Sequence, residues 1–204
     1  MIELIAGFYL DPSRLKDQPV LDVGCREFEW SSAMHARGHR VVALDPAPDI
    51  KGTDVPPGVE FEGSALVSNA SEPVQLVVLP NAGASYIHGP AHPNREGQYP
   101  HVTVPALTMQ QLMSRYQVEH WDAVKLNCEG SEYAILENWP GPIATQLTVS
   151  FHEHTGANPN KANPEDTYQR TLNHLKQWYT VERHVKERRP TCPENYWDSL
   201  FLLR

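Results

Sequence analysis

Residues 20 to 48, VLDVGCREFEWSSAMHARGHRVVALDPAP, limit what this chain can fold into more than any other stretch. An apolar run ends in Asp22-Val23-Gly24. A helix-like segment then closes at Gly38, and a second apolar run ends in Asp45-Pro46. That order spells strand, tight turn, helix and strand, with an acid near each strand tip. Such a β-α-β unit opens a crevice at the carboxyl end of a parallel sheet, where nucleotide-like ligands bind. Asp45 lies about twenty residues beyond the turn, a spacing from which a carboxylate reaches ribose hydroxyls. The unit therefore predicts a pocket for an adenosine-containing cofactor.

A chain of 204 residues is most simply one domain, 1–204, with a substantial core. Net charge is −8, and the one basic concentration is Lys186 with Arg188-Arg189. Holding a phosphate backbone needs a concentrated basic face, so the sequence argues against a nucleic-acid partner. The three cysteines, Cys25, Cys128 and Cys192, are odd in number and lack metal-site spacing, which fits a reducing compartment. The opening MIELIAGFYLDPSRLKD shows neither a basic leader nor a small-residue cleavage site. No apolar stretch approaches the ~18 residues of a membrane span. A cytoplasmic location is the expectation, and oligomeric state is not legible.

Along the chain, residues 2 to 9 read as a short helix or a lead-in. Strands are expected at 19–23, 40–44 and 59–63, the last running on into Ala65-Leu66-Val67. A helix is expected at 28–37, capped by Gly38 in the left-handed region. Pro46, Pro48, Pro56 and Pro57 argue against a full helix between 45 and 58. Residues 74–79 read as a strand that pairs in a hairpin with 65–69, and 80–101 as a long surface loop. Helices follow at 108–116, 131–139 and 165–178, with strands at 121–126 and 146–151. Strands 181–186 and 197–203 form a terminal antiparallel hairpin. The alternation predicts an α/β fold, a mainly parallel seven-stranded sheet with helices on both faces.

Gly24 lets the backbone turn tightly and admit a ligand closely. Beyond it the glycine pattern of dehydrogenases fails, because Arg26, Glu27, Phe28 and Glu29 fill the loop. Two acids and a ring are poor company for a diphosphate on a helix N-terminus. A phosphate-free cofactor such as S-adenosylmethionine fits better, its zwitterionic tail using backbone amides, Arg26 and nearby acids. Strand 121–126 should lie beside the first strand and deliver Asn127, Cys128, Glu129 and Gly130 to the same crevice. Lys125, Asn127 and Glu129 alternate, so they should share one side. Past the next strand, SFHEHTG places His152 and His154 on one side, and a neutral imidazole can serve as a general base. His88, His92 and His101 read as loop residues able to approach the site as a lid.

These segments together resemble the FkbM family of S-adenosylmethionine-dependent methyltransferases, over roughly residues 18 to 154. LDVGCREFEWS resembles the family's first cofactor motif, and VVALDP its ribose-binding strand end. SALVSNASEPVQL is similar to the third-strand region, where Ser64 and Ala65 would border adenine. LTMQQLM followed by WDAVKLNCEGSEYAIL is the most specific match, close to a lysine-acid-glutamate-glycine signature. The terminal hairpin resembles the last two strands of the Rossmann-like methyltransferase fold. The resemblance implies methyl transfer, often to a hydroxyl of a sugar, lipid or other small-molecule acceptor. It implies that Asp45 and Pro46 sit at the ribose, with Asp22, Gly24, Cys25, Arg26 and Asn127 around the amino-acid tail. His152 is the expected base, with His154 in reserve and Lys125 and Glu129 beside it.

Three alternatives remain at this level. One is a methyltransferase-like binding protein without catalysis. The others are a nicotinamide-dependent oxidoreductase, against which the missing glycines argue, and a metal-dependent hydrolase using His152, His154 and Glu129.

Overall fold

A computed structural model of the protein describes residues 1–50, 52–69, 73–79, 85–87, 99–152, 164–189 and 192–204. The N-terminal segment is neither helix nor lead-in but a hairpin, β1 (Glu3–Ile5) against β2 (Phe8–Leu10). Ala6 and Gly7, both at positive φ, form the tight turn whose twist suits an antiparallel pair.

The central sheet has seven strands. Chain order introduces β3 (Val20–Val23), α1 (Glu29–His35), β4 (Val41–Leu44) and β5 (Val59–Glu62). An insertion follows: β6 (Ala65–Val67), β7 (Val74–Val77), β8 (Tyr86–Ile87), β9 (His101–Val104) and β10 (Ala106–Thr108). The main fold resumes with α2 (Met109–Tyr116), β11 (Trp121–Leu126), α3 (Glu132–Glu137), β12 (Ala144–His152) and α4 (Pro164–Leu175). It ends with β13 (Tyr179–Arg189) and β14 (Cys192–Leu203). The sheet order is β13-β14-β12-β11-β3-β4-β5. Pairing is parallel from β12 through β5, while β14 runs antiparallel to both β12 and β13. The expected α/β class, seven strands and terminal antiparallel hairpin are all present.

Alternation along the strands builds two cores. Val20, Val41, Ala43 and Ala123 pack with Trp30 and Met34 of α1 and Leu10 of the hairpin. Leu21, Val42, Leu44, Val124 and Leu126 pack on the other face with Leu112 of α2, Tyr133 of α3 and Leu172 of α4. Helices therefore cover both faces, which is why these strands are buried on both sides and mostly apolar. α1 closes where Gly38 takes φ +90 and its N–H and that of His39 bond the carbonyls of His35 and Met34. α2 starts in a reciprocal cap, with Gln111 N–H donating to Thr108 Oγ1 and Thr108 N–H to Gln111 Oε1.

The insertion departs from expectation. β6 does not continue β5 or pair with residues 74–77; it pairs in parallel with β10. β7 instead forms an antiparallel sheet with β8 and β9. Thus the stretch read as loop 80–101 contains β8, and His101 opens β9 rather than belonging to a lid. His88, His92, Glu153 and His154 lie outside the described residues. No described helix is long and apolar enough to cross a membrane.

Candidate functional site

The chain runs from β3 outward to β4 and β5, then returns to place β11 on the other side of β3. Neighbouring loops therefore leave in opposite directions at the carboxyl ends of β3 and β11, and a crevice must open between them. A cleft lies there, lined by Gly24, Arg26, Asp45, Pro46, Ala47, Ser64, Ala65, Asn127, Cys128 and Glu129, among others. Leu76, Ser85 and Ile87 of the insertion close one wall. Most of the expected cofactor contacts thus share one cavity.

Gly24 holds φ +73, and its backbone passes so close to Asn127 that a side chain there would strike the Asn127 carbonyl. Its N–H donates to Leu44 O at 2.8 Å. The three strand tips are thereby tied together: β4 through Leu44, β3 through Gly24, and β11 through Asn127, whose N–H donates to Val23 O at 3.1 Å. Asp45 is buried beneath the cleft. Its Oδ2 accepts from Arg26 N–H at 3.0 Å and its Oδ1 from Ala47 N–H at 2.9 Å. Burial pushes the Asp45 carboxyl above the usual range, against the pull of those two amides. The Arg26 guanidinium is committed to both oxygens of Asp49, each at 2.6 Å, so Arg26 offers the cleft chiefly its wall and backbone. Ser64 Oγ donates to Glu62 Oε1.

The helix N-terminus explains why diphosphate chemistry does not suit this loop. Asp22 Oδ2 accepts both the N–H of Ser31, at 3.1 Å, and its hydroxyl, at 2.6 Å. A buried carboxylate from β3 thus takes a first-turn amide of α1 that would otherwise face an anion. Phe28, read as an obstruction, is turned away. In the left-handed region at φ +56, it is buried edge-on to Phe61 at 5.6 Å, within the α1 core. Cys25 belongs to that same core, and burial pushes its thiol far up. It approaches the loop only through its backbone.

Lys125, Asn127 and Glu129 do not all share one cavity; Lys125 and Asn127 line a second hollow with Phe8 and Gly24. Asn127 and Glu129 line the cleft. Lys125 is buried toward the N-terminal hairpin, where Nζ pairs with Asp22 Oδ1 at 2.8 Å and donates to Gly24 O at 2.7 Å. It also lies 5.0 Å from the centre of the Phe8 ring. Its position makes it a brace for the Gly24 turn rather than a group at the reacting end. The positive φ values of Glu129 (+51) and Gly130 (+99) break the strand alternation and re-aim Glu129.

His152 is 2% exposed and does not line the cleft. Its Nδ1 is 2.9 Å from Glu132 Oε1, and its Nε2 is 3.5 Å from Glu129 Oε1. Burial opposes charge on the ring, but Glu132, Glu129 and Asp198 outweigh it and raise the imidazole above its ordinary range. A buried, proton-retaining imidazole is poorly placed as the direct base expected from the sequence. Burial also raises Glu129, against the nearby His152. Glu132, which the sequence reading passed over, is fully buried. It accepts from Cys128 N–H at 2.5 Å and Gly130 N–H at 2.8 Å, and so fixes the loop that carries Glu129. A glutamate four residues past the strand-tip cysteine, at the first turn of α3, was the available signal. Among the described residues, no group of three or more His, Cys, Asp or Glu side chains is arranged to hold a metal ion.

No protein-family model matches the sequence, and no curated protein matches it. Solved structures do resemble it. A fibrillarin pre-rRNA processing protein of Methanococcus jannaschii matches with TM-score 0.54 at 12% identity, over 97% of this chain and 70% of that one. Magnesium protoporphyrin IX methyltransferase of Synechocystis PCC 6803 with bound SAH gives TM-score 0.48 at 11% identity, over 92% and 74%. The tRNA (uracil-54, C5)-methyltransferase of Pyrococcus abyssi, in complex with S-adenosyl-L-homocysteine, gives 0.47 at 12%, over 93% of this chain. This chain spans only 36% of that protein. Strand order, terminal hairpin and the likeness to the fibrillarin protein together give the chain a Rossmann-like methyltransferase fold.

Proposed function

We propose that the chain is an S-adenosylmethionine-dependent methyltransferase of FkbM type that methylates a hydroxyl of a small molecule, sugar or lipid. The observation that carries this reading is the cleft shared by Gly24, Asp45 and Asn127 at the tips of three adjoining parallel strands. The lining suits a phosphate-free nucleoside: a buried carboxylate at one end, and a helix N-terminus already taken by Asp22.

When bound, S-adenosylmethionine supplies an electrophilic methyl group on a sulfonium. The protein's residues bind and orient. Asp45, with each oxygen steadied by one backbone amide, keeps lone pairs for ribose hydroxyls. Ser64 and Ala65 border the base. Gly24, Arg26 and Asn127 form the wall for the amino-acid tail. Aligning the acceptor oxygen with the methyl carbon supplies much of the rate in such a transfer.

Thermal unfolding tests the cofactor assignment. S-adenosylhomocysteine at about 100 times its Kd should stabilise the native state by about 2.7 kcal/mol, a rise of roughly 5–10 °C for a chain of this size. NAD at equal concentration should leave the midpoint in place. No shift with S-adenosylhomocysteine, or an equal one with NAD, would remove the proposal.

A further inference from the structure

We infer that Glu129 takes the proton from the acceptor hydroxyl, and that His152 and Glu132 are positioning residues acting through it. This rests on the methyl-transfer reading of the cleft and deepens it, because a base at this point serves an un-ionised hydroxyl acceptor.

Elimination among the described residues of the cleft leads there. Its lining includes two carboxylates, Asp45 and Glu129, and one thiol, Cys128. Asp45, each oxygen steadied by a backbone amide, is the residue assigned to the ribose. The Cys128 thiol is kept protonated by burial, with Glu132 adding to the effect. Glu129 remains.

Its surroundings are built around it. The residue sits at φ +51, a conformation costly for a non-glycine side chain and found where structure over-determines it. Glu132 supplies that constraint by accepting the amides on either side, from Cys128 and Gly130. The same Glu132 carboxylate orients His152 through Nδ1, and His152 turns Nε2 toward Glu129. Among the described residues, the acids set against His152 are Glu129 and Glu132 from the β11–α3 segment and Asp198 from β14. Together they favour the charged imidazole, against the cost of burial. Burial raises the Glu129 carboxyl, making its carboxylate a stronger proton acceptor than one in water, while a charged imidazole beside it favours the ionised form.

The balance of the step is simple. An oxygen–carbon bond forms, the carbon–sulfur electron pair stays on sulfur as a neutral thioether, and the hydroxyl proton passes to a Glu129 oxygen. Glu129 keeps 18% of its side chain exposed, enough to release that proton to solvent afterwards.

The test needs no acceptor. Calorimetry compares S-adenosylhomocysteine with sinefungin, which carries an ammonium-bearing carbon in place of the methylsulfonium. A carboxylate facing the transferred group favours sinefungin, and that preference should fall as the wild-type protein is acidified and Glu129 protonates. In Glu129→Gln, sinefungin should lose at least about tenfold more affinity than S-adenosylhomocysteine. In His152→Gln, the pH at which the preference falls should move up, because the neighbouring cation is gone. A preference that ignores pH, or survives in Glu129→Gln with both ligands bound, overturns the role of Glu129. An unmoved midpoint in His152→Gln overturns the positioning role. Failure of the wild type to bind either ligand instead overturns the cofactor reading beneath.

Discussion

A Cβ on Gly24 would lie 1.9 Å from the carbonyl oxygen of Asn127. That one contact joins the turn after β3 to the tip of β11 and sets the floor of the cleft.

Gly24→Ala should therefore be far worse than an ordinary loop substitution. Left-handed backbone strain costs about 1–3 kcal/mol, and overlap with fixed backbone adds to it. Gly38→Ala provides the control: φ is +90, but open space surrounds the position, so roughly 1–2 kcal/mol is expected. Urea unfolding of both variants checks the order. Equal losses would show that the Gly24–Asn127 approach carries no energy.

Lys125→Met should destabilise by roughly 3–5 kcal/mol, because Asp22 would keep a buried charge without its partner. Combining it with Asp22→Asn should cost less than the sum of the two single changes. A double-mutant cycle from chemical denaturation measures this coupling. Strict additivity would mean that the pair is energetically independent.

The His152 cluster predicts a pH dependence of stability. A native imidazole raised above its usual 6.5 means that the folded state binds more protons than the unfolded one. Its stabilisation is full below about pH 6.5 and is lost as pH rises through the folded value. Glu129 and Asp45, also raised from 4.5 and 3.8, act with the same sign, starting near those ordinary values. Unfolding free energy should fall as pH rises above about 6.5 in the wild type, and more shallowly in His152→Gln. Identical slopes would contradict the assigned protonation.

The sequence disclosed the sheet better than the site. β3, β4, β11 and β12 are buried strands, read from short, largely apolar segments rich in Val, Leu and Ala and bounded by turn residues, so their order and the crevice followed. The N-terminal hairpin stayed hidden because Ala6, not Asn or Gly, takes the first positive-φ position of its turn. The insertion was mispaired because β6 finds β10 about forty residues away, and strands of three residues carry no periodicity to announce a partner. Within the site, the positions of Gly24, Asp45 and Asn127 could be read from strand tips. The direction of Phe28 could not, since it depends on a left-handed backbone. Nor could the division of labour among Glu129, Glu132 and His152, which meet only through a positive-φ break after β11 and the approach of β12.

The cleft as a nucleoside site is tested most directly by calorimetric titration of S-adenosylhomocysteine into the wild-type protein and Asp45→Asn. Asparagine keeps one carbonyl acceptor, for one of the two loop amides, while removing the charge that would hold the ribose. One ligand per chain should bind the wild type. The variant should bind more weakly by roughly 1.5–3 kcal/mol, the contribution of hydrogen bonds to a charged group, with its unfolding midpoint changed much less. A folded wild-type protein that gives no binding heat, and shows no binding by equilibrium dialysis, would contradict the account, as would equal affinity in Asp45→Asn.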